Sequence, residues 1–287
     1  MKTVEHIFNP KPAHFVGDGF RVHNFIPSYV PMTRMSPFIM LDYNSIYNFP
    51  ASDIPKGVGV HPHRGFETVT IAYKGRVEHG DSSGGGGIIG EGDVQWMTAA
   101  SGVLHKEFHE TEWSKQGGDF QMVQLWVNLP ARHKMDPPKY QALIHGDIPT
   151  YALEDNEGII EVIAGEYNGI QGGASTFTPL HLMNAKLNKG AVATFDFPAH
   201  YNTALLVIQG NVIVNDTFKA GTDKMVLFYN DGDQFTVEAE DDVIVLIMSG
   251  EPINEPIATY GPFVMNTKEE IQQAFEDFNT GKFGELV

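Results

Sequence analysis

The chain has 287 residues, with 19 Lys+Arg against 36 Asp+Glu for a formal charge of −17, and 42% of its residues are hydrophobic. That is enough apolar chain for one large β-domain or two ordinary ones, and too much for a disordered segment. No apolar run reaches the ~20 residues of a membrane span, and zero cysteines exclude a disulfide framework and thiolate catalysis.

The opening, Met1 to Phe15, lacks the apolar stretch of a secretory signal, so cytoplasm is the expected compartment. Asp42, in Met40-Leu-Asp-Tyr43, is a candidate either for a turn or for a pocket wall. The first segment rich in chemistry is Gly57-Val-Gly-Val-His61-Pro-His63-Arg-Gly-Phe-Glu67-Thr-Val-Thr-Ile-Ala-Tyr73. Read as continuous strand, period-two alternation puts His61, His63, Glu67, Val69, Ile71 and Tyr73 on one inward, apolar face. Thr68, Thr70 and Lys74 then take the other face. Gly84–Gly87 reads as a flexible turn, because no Lys-Ser/Thr or helix follows to cradle a phosphate.

The second segment is Gly92-Asp-Val-Gln-Trp96-Met-Thr98, continuing through Gly102-Val-Leu-His105-Lys-Glu107-Phe-His109. His105 and Glu107 alternate onto one face of it, with Val103 and His109. Two imidazoles on an inward face need polar partners, and a metal ion supplies them. His61, His63, His105 and Glu107 would fill four places of an octahedron. That set suits Fe(II), Mn(II), Co(II) or Ni(II), with Cu(II) as the thermodynamic competitor. His79, His133 and His145 read as ordinary polar residues, while His109 is near enough in pattern to support the ligands.

Phe120–Val127 reads as a strand, and the proline-rich stretch Leu129–Pro138 marks a boundary. The expected domains are therefore 1–132 and 133–287. The first carries a net charge of −2 and the second −15, with every arginine in the first. So acidic a second half argues against direct nucleic-acid binding. A solvated acidic surface accounts for it, and a basic protein partner is the sharper alternative. The halves also look alike. Ile71-Ala-Tyr-Lys-Gly-Arg-Val77 matches Leu206-Val-Ile-Gln-Gly-Asn-Val212, and Glu91-Gly-Asp93 matches Asp231-Gly-Asp233. A duplicated β-barrel follows. In the second copy His200-Tyr-Asn202 stands where a ligand pair would be, but no later histidine completes it, so that copy reads as metal-free. Thr203–Ile208 and Val243–Met248 are further strands. One helix runs from Lys268 to about Phe278, opened by a Thr267/Glu270 capping box and stopped by Gly281. Ile271, Ala274, Phe275 and Phe278 form its apolar face.

His61-Pro-His-Arg-Gly-Phe-Glu-Thr68, Gly92-Asp-Val-Gln-Trp-Met-Thr98, the Gly-x-x-His-x-Glu stretch ending at Glu107 and Gly261-Pro-Phe-Val-Met-Asn-Thr267 together resemble the pirin family of bicupins. The resemblance implies an all-β fold of two cupin barrels with a short C-terminal helix, and one non-haem iron site in the N-terminal barrel. It matches the family's metal ligands to His61, His63, His105 and Glu107, and implies that Glu67 supports the site without ligating. The chain departs from the wider cupin pattern in the Glu67–Gly75 spacing and in lacking the second motif's Pro-x-Gly. The Gly84–Gly87 run and Ala100 depart from pirins themselves. The activity implied is quercetin 2,3-dioxygenase, which cleaves a flavonol with O2, and Glu107 would be both ligand and base. In that reading the wall of Val69, Ile71, Tyr73 and Trp96 suits a flat aromatic ring. The alternative the family offers is an iron-dependent, redox-responsive regulator binding a transcription factor or metabolic enzyme. The dioxygenase comes first, because a four-ligand site with open positions takes exogenous ligands.

Overall fold

Short alternating runs with frequent turn residues dictate strands, and antiparallel strands make up most of the computed structural model, which describes residues 1–286 without the side chain of Asn156. They form two cupin barrels in two compact units. The larger unit comprises residues 12–33, 38–145 and 253–287, and the smaller comprises 1–11, 34–37 and 146–252.

In the larger unit the strands are β1 (Phe20–Ile26), β2 (Phe38–Phe49), β3 (Gly57–His63), β4 (Phe66–Lys74), β5 (Val77–Asp81), β6 (Val94–Thr98), β7 (Val103–His109) and β8 (Gly118–Asn128). A seven-stranded sheet has the order β6-β4-β8-β2-β1, with Lys139–Leu143 and His14–Val16 at its edges. A four-stranded sheet has the order β3-β7-β5, followed by Gly86–Ile89. The smaller unit repeats the plan with β9 (Gly158–Ala164), β10 (Leu180–Leu187), β11 (Val192–Asp196), β12 (Asn202–Gln209), β13 (Asn211–Val214), β14 (Met225–Phe228), β15 (Gln234–Ala239) and β16 (Val243–Gly250). Its seven-stranded sheet runs β14-β12-β16-β10-β9, edged by Val4–Phe8 and Thr150–Ala152, and its four-stranded sheet runs β11-β15-β13 and Phe218–Gly221.

The chain ends do not stay with their own halves, so a single cut at 132/133 does not describe the units. Val4–Phe8 pairs with β14 and covers a sheet edge of the smaller unit. The C-terminal helix, Lys268–Asn279, packs Ile271 and Ala274 against Phe263, Met265 and Phe283 of the larger unit. Its capping box forms as expected: Thr267 Oγ1 accepts from the Glu270 amide, and Glu270 Oε2 from the Thr267 amide. Phe278 faces out, however. Asp277 is buried instead, where it accepts from Arg64 Nη1 at 2.9 Å.

The first internal match holds in the backbone, since Gly75 and Gly210 end β4 and β12 at φ +84° and +82°. The second match is displaced by one loop. Ala72 exchanges backbone hydrogen bonds with Gly92 and Asp93, whereas Val207 exchanges them with Asp223 and Lys224. Thus Thr222-Asp-Lys224, not Asp231-Gly-Asp233, is the counterpart of Glu91-Gly-Asp93. The left-handed position is a glycine in one copy (Gly92, φ +85°) and an aspartate in the other (Asp223, φ +70°). Asp tolerates that conformation, so matching by glycine selects the wrong turn.

Candidate metal centre

Strand β3 presents His61 and His63 two residues apart, on one face. On the neighbouring β7, His105 lies directly opposite His61, and Val103 opposite His63. On the other side of β7, β5 places Asp81 opposite His105 and His79 opposite Glu107. Opposed residues of an antiparallel pair share a face, so the four-stranded sheet gathers these polar side chains on one side. The ring centroids of His61, His63 and His105 are 4.2–4.8 Å apart. One donor atom from each of the three lies within 4.8 Å of the others. Glu107 falls within the same distance of His105 and of His79, forming a second group that shares His105.

These imidazoles suit a cation. Both ring nitrogens of His105 are buried without a hydrogen-bond partner, which costs about 1–3 kcal/mol per unsatisfied group. His61 Nδ1 lies 2.8 Å from the Gly59 carbonyl and His63 Nδ1 3.3 Å from that of Pro262. Each bond puts the proton on Nδ1 and leaves the Nε2 lone pair free. Burial, then the neighbouring His61, pushes His63 down to about 3. Burial, then His63, holds His105 well below its ordinary value. Neutral imidazoles with free lone pairs beside a carboxylate can hold a divalent metal. Glu107 Oε1 accepts from Gln95 Nε2 at 3.4 Å and lies 3.3 Å from Thr70 Oγ1.

A cavity of about 330 Å³ opens onto His61, His63 and Glu107. Its wall differs from the expected one. At Gly65 (φ +89°) the chain turns from one sheet into the other, and a Cβ there would lie 1.9 Å from the Val264 carbonyl. Alternation therefore does not carry from His63 to Glu67. Thr68, Thr70 and Ala72 lie opposite Trp126, Gln124 and Met122, three residues of the pocket wall. Glu67, Val69 and Ile71 take the far face, opposite Thr98, Trp96 and Val94. Glu67 accepts from Thr98 Oγ1 at 2.7 Å, and burial pushes its carboxyl up to about 7. Met40, Met122, Trp126 and Phe20 supply the apolar wall in place of Val69, Ile71, Tyr73 and Trp96. Asp42 does line the pocket.

Sequence reasoning missed His79. Its Nε2 lies 3.1 Å from Asp81 Oδ2, its Nδ1 is buried without a partner, and Tyr140 stacks on its ring. The signal was the His-x-Asp alternation before the glycine run, but only strand pairing brings it to Glu107. His109 instead sits among Phe20, Phe49 and Phe120, with its Nε2 2.8 Å from the Gly19 carbonyl. A contact of that length to a carbonyl makes the ring nitrogen the donor. His200 is exposed in a loop, and positions 195 and 197 stand where the ligand pair would be.

Residues 19–127 match the family described as Pirin, and residues 182–284 the Pirin C-terminal cupin domain. A Pseudomonas aeruginosa protein named "Putative quercetin 2,3-dioxygenase" is 47% identical over 283 residues, 99% of each chain. The chain belongs to the pirin family. A Caulobacter vibrioides pirin-like protein is 41% identical over 93% of this chain and 94% of its own. The crystal structure of an Acinetobacter baumannii quercetin 2,3-dioxygenase superposes with a TM-score of 0.94 at 50% identity, covering 100% of both chains. Among the described residues no helix is long and apolar enough to cross a membrane.

Proposed function

We propose that this pirin is a metal-dependent dioxygenase of the quercetin 2,3-dioxygenase type, cleaving a flavonol with O2 in the pocket of the larger unit. The observation that carries the reading is a cluster of three imidazoles at the end of an apolar cavity, with both ring nitrogens of the buried His105 unpartnered. Relatives of that name at 47% and 50% identity support it.

His61, His63, His105 and Glu107 would hold one divalent metal, Fe(II) by preference, with Mn, Co, Ni or Cu as substitutes. When bound, the metal supplies a Lewis acid and a template on which substrate and O2 meet. The carbonyls of Gly59 and Pro262 fix the rings of His61 and His63. Gln95 holds the Glu107 carboxylate by a hydrogen bond, and that carboxylate takes the proton of the flavonol 3-hydroxyl. Met40, Met122 and Trp126 offer apolar faces to aromatic rings and exclude water.

The test is O2 uptake together with bleaching of near-visible flavonol absorbance. Metal-replete protein is expected to consume quercetin, and a flavone lacking the 3-hydroxyl is expected to be inert. Glu107→Gln should cut turnover by about 10²–10⁴-fold while retaining more metal than His61→Ala, because an amide oxygen coordinates but does not accept the proton. Turnover that survives chelation, or equal turnover of the flavone, overturns the reading.

A further inference from the structure

A single polar row crosses the seven-stranded sheet of the larger unit beneath the pocket. Gln95 of β6 lies opposite Thr70 of β4, Thr70 opposite Gln124 of β8, Gln124 opposite Asp42 of β2, and Asp42 opposite Asn24 of β1. The row is partly wired. Thr70 Oγ1 donates to Gln124 Oε1 at 2.7 Å and approaches Glu107 Oε1, while Asn24 Nδ2 donates to Asp42 Oδ1 at 2.6 Å. These bonds orient Gln124 and Asp42 yet leave Gln124 Nε2 and Asp42 Oδ2 without a protein hydrogen bond among the described residues. Beside them Asn44, also on the pocket wall, is buried with both amide atoms unpartnered. A buried unpaired amide atom has lost its water and gained no partner, which costs free energy. Folding alone gives no return on that cost.

The smaller unit shows that the row is not required by the barrel. Aligning Gly75 with Gly210 and following the strand pairing, the same row reads Val226, Leu205, Ile247, Met183 and Val162. All five are buried in that unit's apolar core. One topology therefore tolerates an all-apolar row, and the polar one belongs to the unit with the pocket. From Thr70, beside Glu107, to Asp42 is two strand spacings, about 10 Å. That is the reach of a flat molecule of linked aromatic rings.

We infer that Asp42 and Gln124, with Asn44 beside them, are specificity residues that hydrogen-bond hydroxyl groups on the ring of an aromatic ligand remote from Glu107. The inference rests on the dioxygenase reading and deepens it. The preferred substrate class is a flavonol bearing hydroxyls on its pendant ring, recognised by a carboxyl acceptor next to an amide donor. Met40, Met122 and Trp126 grip the ring faces, while the polar row reads the ring edge.

The test measures dissociation constants anaerobically on metal-replete protein, by quenching of tryptophan fluorescence. The probes are quercetin and galangin, which keeps the 3-, 5- and 7-hydroxyls and lacks only those of the pendant ring. Wild type is expected to favour quercetin by about tenfold or more, and Asp42→Leu or Gln124→Leu to reduce that preference about tenfold. Asp42→Asn, which keeps an acceptor oxygen, should retain more of the preference than Asp42→Leu, and metal content reports that each variant is folded. Equal affinity of wild type for the two flavonols, or a preference unchanged in Asp42→Leu and Gln124→Leu, overturns the inference while leaving the dioxygenase reading intact. If neither flavonol binds, the dioxygenase reading fails and takes this inference with it.

Discussion

The two barrels share strand order, antiparallel pairing and a left-handed glycine at the same turn, yet their interiors are chemical opposites. Carrying the alignment through the strand pairs, His79 corresponds to Val214 and Glu107 to Val237. Likewise His105 corresponds to Phe235, His61 to Phe195 and His63 to Phe197. The rings of Phe195 and Phe235 stack 5.2 Å apart where His61 and His105 face each other at 4.2 Å. In one unit these positions leave imidazole nitrogens unpaired around a cavity. In the other they fill the same space with close-packed apolar side chains. The backbone plan is compatible with either, so the chemistry belongs to the side chains on these strands and not to the fold.

The comparison breaks most visibly in metal content. His61→Ala or His105→Ala should take retained metal from about one ion per chain to near zero by elemental analysis, while Phe235→Ala leaves it unchanged. Two ions per chain, or full retention in His61→Ala, would show that the units do not differ as described.

Stability should show the opposite pattern. Phe235→Ala removes a fully buried ring and should lower the unfolding free energy by about 3–5 kcal/mol in a denaturant titration. His105→Ala in metal-free protein removes an imidazole whose nitrogens have no partners, so its cost should be smaller by about 2 kcal/mol or more. Equal losses would mean that the His105 ring serves packing first.

A smaller effect sharpens the contrast through pH. In metal-free protein His63 titrates near 3 when folded against an ordinary 6.5. The unfolded chain then binds the extra proton between those values, so stability should rise with pH across that window. Glu67 acts in the other sense. Its carboxyl, raised to about 7 from an ordinary 4.5, stays protonated in the fold while the unfolded chain ionises, so its contribution is lost as pH rises from 4.5 to 7. Glu67→Gln should abolish that descending limb and raise stability at about pH 8 by about 1–3 kcal/mol. A stability profile identical to wild type would place the Glu67 titration near its ordinary value.

Much of this protein was legible before any strand was paired. His61 with His63, and His105 with Glu107, fall together because alternation is a property of one strand's own backbone. The capping box of Thr267 and Glu270 is local in the same way, as is the turn glycine shared by Gly75 and Gly210. What lay beyond the sequence depended on partners distant in the chain. Asp277 displaced Phe278 from the buried face of the helix because Arg64 needed a carboxylate. His79 joined Glu107, and Asp42 joined Gln124, only through pairing between separate strands. Gly65 turned the chain between sheets and gave the pocket face to Thr68 and Thr70 rather than to Glu67 and Val69. Side-chain alternation is fixed by covalent geometry within a strand, but which of its two faces looks inward is fixed by where the chain bends and which strands it meets.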